Sequence, residues 1–452
     1  MAGARGAFGS RFGFILAAAG SAVGLGNIWG FPTKVGQGGG ALFVLIYLIC
    51  VVMICAPIMI AELAVGRRSG KDPVGAFTAI KPGSSWWLAG ALGVMAGVGI
   101  LSFYSVIAGW TIGYIYFAAS GALTGDSAAT SAFFGEFVGN APLSIGLTFV
   151  VLAITAGTLM GGVKQGIERM TKTLMPMLLV LMVLLVVRAV TLPGAGAGLS
   201  YYLNPDFSKL SFRMFNTALG QAFFSLSLGM GAMITYGSYL AKSENMTRAA
   251  MWVVLVDTLV ALMAGFIIFP AGFTLAGFDP TSTGPGLIFV VLPQLFATIP
   301  GGQLVGVAFF VMLTMAAITS TISLLEVPTA HLIDSHGWNR RKAVLVLAGL
   351  TFLLAVPSAL SQGASPFWSN LPGVGMDFLS LMAIVWNDFA LPIGGFLLAI
   401  FVGHVWRVDQ ALDELNQGGT MPAAGVWSFL IQWVCPAAIG LIIFFTFKDL
   451  LS

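Results

Sequence analysis

Apolar residues run along this chain in blocks of roughly 20 or more, with polar and basic residues gathered between the blocks rather than alternating within them. At about 1.5 Å per residue such a block carries a helix across about 30 Å of hydrocarbon. Eleven are present, at about 11 to 36, 41 to 65, 88 to 120, 142 to 160, 170 to 192, 215 to 241, 247 to 275, 303 to 334, 342 to 360, 376 to 404 and 424 to 447. The pattern predicts an all-α polytopic membrane protein, a single transmembrane domain over 1–452. A shorter apolar run, Leu287 to Phe296, sits in a loop from about 277 to 302, fenced by Asp279-Pro280, Gly284-Pro285-Gly286 and Pro300-Gly301-Gly302. It predicts a hairpin lying on the outer face.

Two blocks are interrupted. The first contains Gly20-Ser21-Ala22-Val23-Gly24-Leu25-Gly26-Asn27, where each glycine lowers helix propensity by about 1 kcal/mol. In lipid, non-helical backbone persists only where it is buried in protein or lines a cavity, because its freed N–H and C=O groups need partners. The break therefore predicts a ligand. The sixth block carries Ser225-Leu226-Ser227-Leu228-Gly229-Met230-Gly231. The second break comes five blocks after the first, so the two run in opposite senses, as inverted repeats over about 10–192 and 215–404 would place them; the block at 424–447 lies outside the repeat. Half-helix N-termini offer partial positive charge to an anion, and C-terminal carbonyls offer negative charge to cations.

Composition agrees. The chain is 58% hydrophobic and 8% charged, with mean hydropathy +0.96, where soluble proteins have about 25% charged residues. A net charge of +3 gives no footing for nucleic acid, and nothing points to an obligate protein partner. Cys50, Cys55 and Cys435 all lie in apolar blocks and suggest neither a disulfide framework nor a metal site. If the N-terminus is cytoplasmic, only Lys34, Arg188, Lys209, Arg213 and Lys448 of the 20 basic residues fall on the outer side. That imbalance predicts the N-terminus inside and, with an odd number of spans, the C-terminus outside. No short apolar core followed by a small-residue cleavage motif stands apart from the first break, so that block is expected to be retained.

Enzyme readings fare poorly. Gly24-Leu25-Gly26 lacks the third glycine of a dinucleotide fingerprint, with Trp29 in its place, and His331, His336 and His404 form no zinc motif. Glu62, Asp257, Glu326 and Asp388 each lie inside an apolar block, where a carboxylate costs about 2.5 to 3.5 kcal/mol on insertion scales. Such residues serve a site or pair internally.

Gly20-Ser-Ala-Val-Gly-Leu-Gly-Asn-Ile-Trp-Gly-Phe-Pro32, Gly38-Gly-Gly-Ala41, Glu62-Leu-Ala-Val-Gly-Arg67, Gln221-Ala-Phe-Phe-Ser-Leu-Ser-Leu-Gly229 and Ala316-Ala-Ile-Thr-Ser320 closely resemble the neurotransmitter:sodium symporter family, in its bacterial amino-acid branch. The resemblance runs from about residue 5 to 445. It implies the LeuT-type fold, with broken helices 1 and 6, in the plasma (inner) membrane of a bacterium, and sodium-coupled symport of a hydrophobic amino acid. Two sodium ions are implied. The first would meet the carbonyl of Ala22, the side chain of Asn27, Ser225 and Asp257; the second would meet carbonyls of Gly20, Val23 and Ala316 and hydroxyls of Thr319 and Ser320. The substrate carboxylate would meet amides near Leu25 and Gly26 and the hydroxyl of Tyr104, its ammonium the carbonyls near Ala22, Phe224 and Ser227, with Ser21, Gly24 and Ser225 completing the set. Ile100, Tyr104, Phe224, Met230, Ser320 and Leu324 would line the side-chain pocket. Because these lining residues include no acid or base, apolar substrates are favoured. Met230 between two glycines predicts tolerance of aliphatic and aromatic side chains.

In chloride-dependent relatives the position of Asp257 is an asparagine, and a serine one turn later helps to hold the anion; here that later position is Ala261. The resemblance therefore implies chloride-independent transport, with return of a proton on Asp257 as a corollary. It further implies a cytoplasmic gate of Arg5 and Asp334 with Tyr239 nearby, and structural roles for Glu62, bonding the broken sixth helix, and Glu326, supporting the core. Gly166 loosens the start of the fifth helix and Pro176 removes a backbone donor, so its cytoplasmic end either unwinds or carries an ordinary proline kink. The outer side departs from the family pattern: Gly30 stands where relatives carry an arginine, Lys34 and Asp377 are the candidates to replace it, and Tyr104 and Phe224 remain to close over the substrate. A proton-coupled carrier of the same fold, or an ion channel, is the alternative. Thr319 and Ser320, and a fifth block without a lysine in its apolar core, favour sodium.

Overall fold

A backbone that crosses hydrocarbon must bond to itself, and each apolar block does so as a helix. The structure is a computed structural model that describes residues 6–123, 127–275, 278–281 and 286–451. Among these residues nine helices are long and apolar enough to cross a membrane: Ala41–Ser69 (span 2), Trp87–Ser120 (span 3), Ala141–Met160 (span 4), Val163–Val190 (span 5), Met246–Gly272 (span 7), Gly302–His336 (span 8), Arg340–Leu360 (span 9), Phe378–Val405 (span 10) and Ala424–Lys448 (span 11). Span 1 is the pair Arg11–Ala22 and Gly26–Gln37, bent by 50°. Span 6 is also a pair, Phe212–Ser225 and Ala232–Gly237, neither half long enough to cross alone.

Polar residues at the block edges start the helices. Ser10, Asn140, Ser211, Asn245, Asn339 and Asp377 each accept a hydrogen bond from a first-turn N–H of the helix that follows, supplying an acceptor that the helix itself lacks there. Spans 3 and 8, the two longest helices, lie against each other along much of their length. Hydroxyls link this framework within its apolar interior: Thr111 meets Thr314 at 2.7 Å, and Thr155 of span 4 meets Thr321 at 2.7 Å. Large apolar side chains such as Phe149, Leu184, Leu353 and Phe444 are exposed on the periphery, which suits a surface whose solvent is lipid.

The loop before span 8 is a correction. Its apolar run forms one short helix, Leu287–Thr298, rather than a hairpin; residues 276–277 and 282–285 of the loop lie outside the described residues. Leu287, Ile288, Phe289 and Leu292 are all buried, and Tyr114 donates to the carbonyl of Phe289 at 2.9 Å. Consecutive apolar residues need cover all round the chain, and a helix wedged among Tyr114, Phe134 and Phe310 receives it.

At the N-terminal side, Arg67 ends span 2 and binds Glu414 of the short helix Val408–Leu415, with Nε 2.8 Å from Oε1 and a second nitrogen on the Glu414 carbonyl. Arg67 also donates to the carbonyl of Glu244 at 2.8 Å, in the loop after span 6. The Arg67 and Glu414 side chains are 1% and 0% exposed. Removing one member of such a pair leaves an uncompensated charge, at a cost of about 3–5 kcal/mol. Arg67→Met should therefore lower the thermal unfolding midpoint in detergent, and the double variant Arg67→Met/Glu414→Leu should recover part of the loss. Equal midpoints for wild type and Arg67→Met would contradict the pairing.

Candidate functional site

The two breaks face each other. Span 1 stops where Val23 turns extended (φ −68°, ψ 112°) and resumes at Gly26; span 6 stops after Ser225, passes through Ser227 (φ +53°), Gly229 (φ +83°) and Gly231 (φ +75°), and resumes at Ala232. Side chains knit the loosened backbones together. Ser227 Oγ donates to the carbonyl of Ser21 at 2.8 Å, Gln221 Nε2 to the carbonyl of Gly26 at 2.8 Å, and the amide of Leu25 to Tyr104 Oη at 2.9 Å.

Between them lies a narrow cavity of about 20 Å³ lined by Ser21, Ala22, Gly24, Gly26, Ile100, Tyr104, Phe224, Ser227, Met230, Ser320, Leu324 and Leu391. Gly24 is required by close approach: a Cβ there would stand 2.4 Å from Ser320 Oγ and 2.6 Å from Tyr104 Oη. Every expected pocket residue borders this cavity. Leu25 and Ser225 do not line it; they belong to the surrounding bonds. Leu391, from span 10, went unforeseen, since nothing near it in sequence marks a ligand site. Ser21 Oγ is buried with no hydrogen-bond partner among the described residues, so the cavity holds an unused hydroxyl for a polar ligand.

Beside the cavity Asn27, Ser225 and Asp257 are all 0% exposed. Asn27 Nδ2 donates to Asp257 Oδ1 at 2.7 Å and to Ser225 Oγ at 2.9 Å, and Ser225 Oγ donates to Asp257 Oδ2 at 2.9 Å. Carboxylate, hydroxyl and amide oxygens are the donor set of a hard cation. In this arrangement Asn27 gives its nitrogen to the cluster and its oxygen to the amide of Gly24, 2.9 Å away. To present oxygen to an ion here, the amide must turn over.

The second expected ion position also comes together. Ser320 Oγ reaches across to the carbonyls of Val23 at 3.2 Å and Ser21 at 3.4 Å. Thr319 Oγ1 bonds back to the carbonyl of Ala316 in its own helix at 2.9 Å. A Cβ on Gly20 would be 3.3 Å from Thr319 Cβ, so span 1 and span 8 pack tightly at this height.

The two ends of the pathway differ. On one side a vestibule of about 540 Å³ opens above the cavity, and Tyr104 and Phe224 border both spaces. Gly30 leaves room there for Gln221, whose Oε1 would be 3.1 Å from an added Cβ. Lys34 and Asp388 line the vestibule. Asp377 does not: it caps span 10, accepting from the amide of Ser380 at 3.0 Å and from Gln362 Nε2 at 2.9 Å.

The other side is sealed. Phe8 packs edge-on against Phe14, Tyr236 and Tyr239. Tyr239 donates to Glu326 Oε1 at 2.7 Å, and Arg340 of span 9 holds the other oxygen. Glu62 accepts from the amide of Gly229 at 2.7 Å, bonding span 2 to the break in span 6. Asp334 accepts from the amide of Asp72 at 2.9 Å; Arg5, its expected partner, lies outside the described residues. Gly166 sits where a Cβ would fall 2.0 Å from the carbonyl of Thr158, in the π-helical turn Val163–Glu168 that opens span 5, and Pro176 follows inside that helix. Glu168, which drew no attention in sequence, ties the N-terminal segment to this turn by accepting from the Gly9 amide at 2.6 Å, Ser10 Oγ at 3.0 Å and Lys172 Nζ at 2.6 Å. Its one legible signal is the spacing of Glu168 and Lys172 on one helix face.

Two interrupted helices that enclose a cavity at mid-depth, open toward one face of the membrane and closed toward the other, define a secondary transporter rather than an enzyme. The comparisons identify which kind. The chain matches the Sodium:neurotransmitter symporter family over residues 5–133 and 135–451, and it belongs to that family. It is 37% identical over 446 residues to the uncharacterized sodium-dependent transporter YhdH of Bacillus subtilis, covering 98% of each chain. It is 35% identical over 447 residues to an uncharacterized sodium-dependent transporter of Haemophilus influenzae, covering 96% of each. The crystal structure of MhsT in complex with L-phenylalanine superposes with a TM-score of 0.90 at 42% identity, covering 98% of this chain and 99% of that one. The fold is LeuT-type.

The hold of Glu168 on the N-terminal segment is testable without transport. Glu168→Ala should raise amide hydrogen exchange across residues 6–14 while span 3 stays protected; unaltered exchange over 6–14 would show that the segment is held by other contacts.

Proposed function

We propose that this protein is a sodium-coupled symporter of hydrophobic L-amino acids, aliphatic and aromatic, that works by alternating access without chloride. The observation that carries this reading is the pairing of a cavity whose lining has no Asp, Glu, Lys, Arg or His with a fully buried carboxylate, Asp257, in the oxygen cluster beside it. An α-amino acid brings its own charges. Its carboxylate is met by the amides near Leu25 and Gly26 at the start of the second half of span 1, where the Leu25 amide now donates to Tyr104 Oη, and by Tyr104; its ammonium is met by the carbonyls near Ala22, Phe224 and Ser227. A charged substrate side chain would find no partner and would pay its full desolvation cost. The complex of MhsT with L-phenylalanine supports an aromatic substrate of this size.

Two sodium ions accompany it. The first is held by Ala22, Asn27, Ser225 and Asp257, next to the substrate carboxylate; the second, by Gly20, Val23, Ala316, Thr319 and Ser320, joins span 1 to span 8. Asp257 supplies the negative charge that chloride supplies in other members. The N-terminus is cytoplasmic and the vestibule external, in a bacterial plasma membrane, with residues 10–192 and 215–404 as inverted repeats of one domain. The sealed side, with Asp334, Tyr239 and Glu326, is then the inner gate, and loosening of span 5 between Gly166 and Pro176 is the route by which the second ion meets water.

Uptake of labelled leucine and tryptophan into proteoliposomes tests the reading. An inward sodium gradient should drive both, and replacing chloride by gluconate should leave the rates unchanged. Uptake driven by a proton gradient alone would overturn sodium coupling, and loss of uptake without chloride would overturn the role given to Asp257. Asp257→Asn removes a charged ligand contact worth about 1.5–3 kcal/mol, so the sodium concentration for half-maximal uptake should rise at least about tenfold. Unchanged sodium affinity would sink that assignment. Gly24→Ala drives a methyl into Ser320 and Tyr104 and should abolish saturable amino-acid binding; binding at wild-type affinity would mean that the substrate sits elsewhere.

A further inference from the structure

The walls of the cavity come from spans 1, 3, 6 and 8 with one exception. Leu391 of span 10 is 1% exposed and borders the same space as Ile100, Met230 and Leu324. Its position is fixed by main chain. A Cβ on Gly229, in the break of span 6, would stand 2.1 Å from the carbonyl oxygen of Leu391, and a Cβ on Gly394 would stand 2.1 Å from the carbonyl oxygen of Gly229. Span 10 thus rests backbone to backbone on the non-helical segment of span 6 that carries Met230.

The local helix geometry aims the side chain. Leu391 directly follows a π-helical stretch, Ile384–Ala390, and begins a regular α-helical run, Leu391–Ile400. Each residue added to a helix turns everything after it by about 100°, and π-helical insertions of this sort recur at functional sites. Here the insertion lets one turn of span 10 serve two spaces: Asp388 and Pro392 face the vestibule while Leu391 reaches the cavity beneath it.

We propose that Leu391 is a specificity-determining residue, the fixed end-stop that sets how large a substrate side chain the pocket accepts. The inference rests on the amino-acid reading above. Met230 and Leu391 divide the work: Met230 is unbranched and flanked by glycines in left-handed conformation, so it adjusts to what is bound, whereas Leu391 stands on a regular helix whose backbone is locked against Gly229. Changing the Leu391 side chain leaves that backbone contact in place.

Competition of labelled leucine by valine, leucine, phenylalanine and tryptophan, with the purified protein in sodium-containing detergent buffer, tests this. Leu391→Ala should shift the tryptophan-to-leucine affinity ratio toward tryptophan by about tenfold, Leu391→Phe should shift it the other way, toward valine, and Leu391→Met should restore the wild-type order. Affinities for all four amino acids that fall together in the Ala variant would overturn the inference and leave Leu391 a packing residue, as would an unchanged ratio; the Ala variant alone decides the question if the Phe variant does not fold. A wild-type protein that binds none of the four overturns the proposed function itself, a result distinct from a wild type that binds them and a variant ratio that does not move.

Discussion

A peptide group without a hydrogen-bond partner is intolerable in hydrocarbon, and the structure follows from where this protein accepts that problem. It does so twice, in spans 1 and 6, and places the two faults against each other. Ser227, Gln221 and Tyr104 absorb part of the loosened backbone; the remainder faces a small cavity whose polar character comes from main chain and hydroxyls. A cavity made in this way presents main chain and hydroxyls at its polar positions and apolar side chains elsewhere.

The buried acids are each held by something different, and their partners separate their roles. Glu62 bonds the amide of Gly229 and so supports a break. Glu326 is held between Tyr239 and Arg340 and Glu414 by Arg67, both joining helices at the sealed side. Asp257, like Glu62, has only neutral donors, here the side chains of Asn27 and Ser225, and it stands beside the cavity rather than at a helix end.

The two ends of the pathway are asymmetric. A wide vestibule reaches down to Tyr104 and Phe224, whereas the N-terminal side is closed by aromatic packing around Phe8, by Glu168 on the N-terminal segment and by the Glu326 and Glu414 pairs. Opening that side requires several ordered contacts to part together, which is how a packed interface becomes two-state rather than continuously deformable. Span 5 meets that side with a π-helical turn at Gly166, a proline at Pro176 and Glu168 between them.

The sequence by itself determined the order of the spans and the two breaks, because hydropathy and glycine content act over a few positions of chain; the oxygen-bearing residues around the breaks came from its resemblance to the family. It could name Asn27, Ser225, Asp257, Thr319 and Ser320, but not that Asn27 turns its nitrogen toward Asp257, nor that Ser320 bonds span 1 while Thr319 bonds its own helix. Tertiary structure alone decided that Glu168 holds the N-terminal segment, that the run from Leu287 is a single buried helix and that Leu391 enters the pocket. Those facts depend on contacts between residues more than a hundred positions apart, or on which way a helix is turned about its axis, and an apolar block reads the same in sequence whichever face it presents.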